Sequence, residues 1–249
     1  MIKASPVFTR AAILFTIAFI ATYAITLTDT RLLNGVSVWE KPSKFFFSLG
    51  LHMATLAWGI SLLPEVTQHA KSITRATYIF MTAAVFEMAY MVVQSALGEA
   101  SHFNTSDTFH AIMYGVMGVG SLTLTGVTAY LGWRIRKAGT TPQQFAAGWS
   151  FITAAVTTTI VAGYMSSGTG HWVGGDLSDA SGLPFFHWST TGGDLRVPHF
   201  AALHIMQAVP LVAWFWPHKR LTQAALAVSV LVVAALFTQS IMGIPLLRV

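Results

Sequence analysis

The sequence predicts an all-α, polytopic membrane protein, and three observations carry that reading. Seven long apolar stretches fill the chain. Only 9% of its 249 residues are Asp, Glu, Lys or Arg, where a soluble domain is nearer a quarter. Seven of the nine histidines fall on one side of the apolar stretches, with only His69 and His218 on the other.

The spans read as 11–28, 43–63, 76–97, 109–132, 146–166, 198–217 and 221–246. Each approaches the roughly 20 apolar residues that cross about 30 Å of hydrocarbon. Little chain is left for a soluble domain, so residues 1–249 form one seven-helix membrane domain. Lys3 and Arg10 precede the first run as in a signal peptide, but the run is long and reads as the first span. Most connections are short. The exception, about 167–197, is rich in Gly, Ser, Thr and Asp with His171, Trp172, Phe185, Phe186, His187 and Trp188 interleaved. A loop of that length in a compact protein is usually functional or disordered, and these aromatics favour a folded periplasmic cap.

Orientation follows from the basic residues. Nine of the fourteen lysines and arginines fall in the connections on the N-terminal side, and five on the other. The N-terminus is therefore expected in the cytoplasm and the C-terminus in the periplasm of a bacterial inner membrane. The formal charge of +5 sits in short connections between spans and does not indicate nucleic acid; the expected surroundings are the lipid bilayer. The absence of cysteine removes disulfides, thiolate metal sites, thioether-linked haem and cysteine-ligated iron–sulfur clusters.

Sequence position converts to depth at 1.5 Å per residue. His52 then lies roughly 12 Å below the outer surface, Glu87 roughly 15 Å and His204 roughly 10 Å, with Gln207 deeper. A rim layer holds Lys44, His102, His110, Arg196 and His199. Ionisable groups in a bilayer are costly and mark function more often than in a soluble core, so both layers are candidate site residues. Gly115, Gly118 and Gly120 on the fourth span either let helices approach closely or offer a smooth wall to a flat cofactor. Trp39, Trp172, Trp188, Trp214 and Trp216 read as interfacial aromatics.

Three segments together resemble a family of uncharacterised bacterial integral membrane proteins: Trp39 to Phe45, Ser101 to Asn104, and Gly193 to Phe200 continuing through Leu203, His204 and Gln207. The resemblance implies a bacterial multi-spanning protein in which the three segments belong to one site. A weaker likeness joins Ser48 and His52, an acid on the third span and two late histidines to the seven-span zinc hydrolases of the alkaline ceramidase and adiponectin receptor type. The chain departs from that pattern. Its acid is Glu87, and its histidine pair, His199 and His204, is five residues apart on span six.

The leading functional expectation is a membrane redox protein. In one version His52 and His204 are axial ligands of a b-type haem, with Lys44 and Arg196 above them for the propionates. In the other, His52, His204 and Glu87 hold a non-haem Fe, Cu or Zn, and His102, His110 and His199 are further candidate ligands. Quinol in the bilayer is the candidate electron partner, and Glu87 and Arg196 are the candidate catalytic groups. Two alternatives stand beside it: a zinc-dependent hydrolase of a lipid-like substrate, and a proton-coupled transporter or receptor of a small anionic ligand held by Arg196. A further alternative is an accessory subunit of a larger membrane complex.

Overall fold

The computed structural model describes residues 2–248. Eight helices run in the order α1 (Pro6–Ile25), α2 (Glu40–Ser61), α3 (Glu65–Gln68), α4 (Lys71–Leu97), α5 (Thr108–Ala138), α6 (Pro142–Ser166), α7 (Arg196–Phe215) and α8 (Lys219–Ile241). Two-residue strands pair as antiparallel β1 (Leu32–Leu33) with β2 (Val36–Ser37), and β3 (Trp172–Val173) with β4 (Gly193–Asp194). Six helices, all but α2 and the single-turn α3, are long and apolar enough to cross a membrane. A spanning helix satisfies every backbone N–H and C=O internally, which hydrocarbon demands. The fold is therefore a polytopic helical one. α2 is 22 residues long and falls short in composition, because Glu40, Lys41, Lys44 and His52 interrupt its apolar run.

The helix ends carry their own stop and start chemistry. Thr141 and Gln144 form a capping box at the start of α6, with Pro142 in its first turn; two orphan donors are satisfied reciprocally. Asp107 caps α5 by accepting from the His110 amide. Gly98 ends α4 in the left-handed region at φ 77°, where a Cβ would be strained. Its amide and that of Glu99 then close on the carbonyls of Ser95 and Gln94.

α1 packs on α2, and the chain proceeds by neighbours: α4 on α5, α5 on α6, α6 on α7 and α7 on α8. α2 also touches α4, α5 and α6, so it runs through the middle of the bundle. The long helices alternate in direction. One end, the cap end, collects the 26–39 hairpin, the 98–107 connection, the 167–195 loop and the C-terminus. The other, the basic end, collects the N-terminus, α3 and the connections 139–141 and 216–218.

The core of the basic half is mainly apolar: Leu56, Ile60, Leu131, Ile135 and Phe151 have no accessible surface. α5 and α6 cross there at backbone distance. A Cβ on Gly132 would lie 2.8 Å from the Gly148 carbonyl oxygen, whereas one on Gly118 would meet nothing within 4 Å. Gly132→Ala should therefore lower unfolding stability in detergent by about 1–3 kcal/mol, the usual cost of overpacking. Gly118→Ala should leave the midpoint unchanged. Thermal unfolding of the two variants side by side checks the crossing.

Candidate functional site

The cap is held by a buried charge cluster. Arg196, the first residue of α7, donates from Nε to Asp194 Oδ1 at 3.0 Å. Its Nη2 donates to Asp194 Oδ2 and to Asp179 Oδ1, both at 2.7 Å, and to the His187 carbonyl at 2.5 Å. Asp194 also accepts from the amides of Arg196 and Ser189 and is 1% exposed. A charge that deep is tolerated only when paired and hydrogen-bonded, and here one guanidinium ties three points of the 167–195 loop to α7. The same Asp-x-Arg fork recurs at Asp29 and Arg31, where Trp39 Nε1 donates to Asp29 as well. Trp39 is thus a structural donor and not a lipid-facing ring alone.

The loop folds over the hairpin and over the start of α2. The Asp179 amide donates to the Asn34 carbonyl at 2.8 Å, and Asn34 and Gly35 take positive φ values in the tight turn between β1 and β2, as a two-residue hairpin requires. Lys44 pairs with Glu40 at 2.9 Å and donates to the Phe186 carbonyl. His187 Nε2 lies 3.3 Å from the same Glu40. Phe186 stacks on Trp188 at 4.4 Å, both meet Phe200 edge-on, and Phe200 lies 4.1 Å from the ring of His204. This aromatic ladder runs from the cap into α7.

Below the cap the polar groups separate into two sets. On the α2–α7 side, His204 Nδ1 meets Gln207 Oε1 at 3.2 Å, Gln207 Nε2 donates to Thr55 Oγ1 at 3.0 Å, and Thr55 donates to the Leu51 carbonyl. Because an amide oxygen only accepts, His204 Nδ1 is the donor and Nε2 is bare. His52 Nε2 lies 2.8 Å from Thr128 Oγ1, whose proton goes to the Leu124 carbonyl; by the same reasoning His52 Nδ1 is bare. His204 is close enough to act electrostatically on both His52 and His199. His199 itself makes no side-chain hydrogen bond among the described residues. A void of about 10 Å³ lies against His52, Thr128 and Thr158, the size of a single water, and the Thr158 hydroxyl beside it has no partner.

On the α4–α5 side, Glu87 is 4% exposed. Its carboxyl fills the place where Gly120 lacks a Cβ, and its Oε1 has no hydrogen-bond partner. Lys41 acts on it electrostatically. Lys41, in the first turn of α2, is half-buried beneath the cap, within electrostatic reach of Arg196, Asp179 and Glu87. It has neither hydrogen bond nor ion pair among the described residues. His102 bonds Ser101 and packs near Phe45 and Tyr114.

Several expected roles change with these contacts. Arg196 is committed to two aspartates and is not a free clamp for a propionate or another anion. Gly115 and Gly118 are exposed, with nothing near their missing side chains, so they offer no interior wall for a macrocycle. His110 is held between Asp107 and Glu99 on opposite ring nitrogens, an arrangement in which the carboxylates cannot share an ion with the ring. Among the described residues, no three His, Asp or Glu side chains gather closely enough to hold a metal ion. Sequence reasoning missed Lys41, Asp179 and Glu40. The repeated Asp-x-Arg pattern was the available signal that Arg196 has a local partner. No protein family, curated protein or solved structure matches the chain, so the site is read from its geometry.

Three cap-end histidines share one electrostatic condition. Burial, with Lys41 nearby, holds His102 well below its ordinary value of 6.5. Burial also lowers His171 despite its contact with Asp179. It lowers His187 too, with Lys44 adding to the effect. A histidine whose folded value is depressed stabilises the fold fully above its unfolded value, and that stability is lost as pH falls. Acidification below about 6.5 should therefore loosen the cap. Hydrogen-exchange protection factors of residues 167–195, taken relative to the intrinsic rate at each pH, should fall from pH 7 to pH 5, while those of the apolar core of α5 and α6 hold; unchanged protection factors in the loop across that range would contradict the assignment. Asp194→Asn should cost on the order of 3 kcal/mol, as expected when one member of a buried ion pair is removed, read by thermal unfolding.

Proposed function

We propose that this chain is a seven-span bacterial inner-membrane protein, with α2 as the seventh span, the N-terminus cytoplasmic and the cap periplasmic. Its cap-side half binds a small ligand carrying an anionic group, and Glu87 exchanges a proton as that ligand binds, as in a proton-coupled transporter or receptor. The observation that carries this reading is Lys41, a half-buried lysine under the cap with no counter-ion in contact among the described residues. Ionisable groups in a membrane bundle pair with one another or mark a ligand path. Three other cap-end cations, Arg31, Lys44 and Arg196, each have a carboxylate, and Arg248, the remaining one, lies exposed at the C-terminal end.

Glu87 supports the same reading. Its free oxygen faces no donor, and Lys41 acts on it without touching it. A ligand with an anionic group for Lys41 and a hydrogen-bond donor for Glu87 would bridge the two. Bare nitrogens on His52 and His204 offer further acceptors. The apolar floor of Leu56, Ile60, Leu131, Ile135 and Phe151 would close this space towards the cytoplasm, as in an outward-facing state.

A metal site is the second reading, resting on the unengaged ring nitrogens of His52 and His204, although no three ligating side chains gather among the described residues. Such a site would use imidazole nitrogens for Fe, Cu or Zn and would leave Glu87 out. The residues fit a haem poorly: the space at His52 admits one water, the glycine wall faces outward and Arg196 is engaged. A catalytic zinc needs three protein ligands, and no such triad gathers, so the hydrolase and quinol-linked readings have less support.

The test is a thermal-shift screen of the detergent-purified protein against small carboxylates and phosphates, beside metal analysis and an absorption spectrum. At least one anion should raise the melting temperature. Lys41→Gln should abolish that shift, and Glu87→Gln should change its pH dependence. An equal shift in Lys41→Gln, or stoichiometric metal lost in His204→Ala but kept in His218→Ala, would overturn the anion reading in favour of a metal.

A further inference from the structure

The basic end of the bundle is as unbalanced as the cap end is paired. It carries nine of the fourteen lysines and arginines and, of the acids, only Glu65. None of those nine cations makes an ion pair among the described residues. Two of them meet on one ring. Arg136, in the last turn of α5, sets its guanidinium 5.5 Å from the ring centre of Phe145 and 5.7 Å from that of Trp149, both near the start of α6. Lys219, the first residue of α8, sets its ammonium 5.3 Å from the same Phe145 ring. Arg136 Nε is buried and has no acceptor, while Trp149 is 39% exposed.

Two like charges held by one aromatic ring repel each other. A cation–π contact returns only about 0.5–1 kcal/mol at an exposed site. An anion held by both cations offsets that repulsion. The three helix ends lie at the boundary of the apolar bundle, where a lipid headgroup sits, and basic pockets between helices there suit anionic headgroups. We propose that the notch formed by the end of α5 and the starts of α6 and α8 binds the phosphate of an anionic phospholipid. Arg136 and Lys219 hold the phosphate, Phe145 sets their spacing, and Trp149 lies along the acyl chains. The exposed indole and the surrounding apolar helices favour a lipid over a free phosphate, which would bring no chain to cover them.

The test is lipid retention by native mass spectrometry of the full chain, with phosphatidylglycerol and phosphatidylcholine as probes. Phosphatidylglycerol should be retained preferentially. Arg136→Gln with Lys219→Gln should weaken that retention by on the order of tenfold or more, given about 1 kcal/mol per basic group near a headgroup. The same charge removal at Lys71 and Arg75 should not. A second measurement needs no destabilising variant: brominated phosphatidylglycerol should quench tryptophan fluorescence more than brominated phosphatidylcholine, and the excess should vanish in Trp149→Phe. Equal retention of the two lipids, or an excess that survives Trp149→Phe, overturns the proposal. Displacement of the retained lipid by millimolar inorganic phosphate would also overturn it, assigning the notch to free phosphate.

Discussion

The cap half of the molecule depends on one guanidinium. Arg196 starts α7 and binds Asp194, Asp179 and the His187 carbonyl, so the long loop has a fixed place only while that charge is paired. In a low-dielectric interior an unpaired member of such a cluster costs several kcal/mol. The loop in turn covers the start of α2 and lays its aromatic ladder against α7. Ser240, near the end of α8, joins the same knot by donating to the Asp194 carbonyl.

Against that background, the groups without partners carry the functional argument. A membrane bundle satisfies its polar atoms because hydrocarbon offers no substitute. His110, Arg31, Arg196 and Lys44 are all consumed by local acids. Lys41 and Glu87 are not, and they occupy the space between the cap and the apolar floor. The imidazoles of His52 and His204 are half-consumed: His52 spends one nitrogen on Thr128 of α5, His204 spends one on Gln207 of its own helix, and each keeps one. That pattern holds ring orientation while leaving a lone pair for a proton, a ligand or an ion.

The two ends obey different electrostatics. At the cap end, Arg31, Lys44 and Arg196 are neutralised in place by nearby carboxylates. At the basic end, cations face aromatic rings and the boundary of the apolar bundle, with Arg134 bonded only to neutral Ser72 and Tyr130. Charge that the chain does not balance internally is left for the surroundings, which for a multi-pass helical protein include phospholipid headgroups.

Much of this was readable from the chain. The apolar runs marked seven long helices with ends within about six residues, six of them long and apolar enough to cross a membrane, because a run of that length in hydrocarbon has no other way to satisfy its backbone. Helical rise placed His52, Glu87 and His204 in one half, and a helix conserves axial distance whatever it packs against. Partner choice was decided only in three dimensions. Rotation about the helix axis turned Gly115 and Gly118 outward and Gly120 inward against Glu87. Loop packing gave Arg196 two aspartates, one of them 17 residues away, and left Lys41, which reads as an ordinary loop lysine, without any. Depth is a property of one segment and survives in sequence; pairing is a property of several segments meeting, and no single segment contains it.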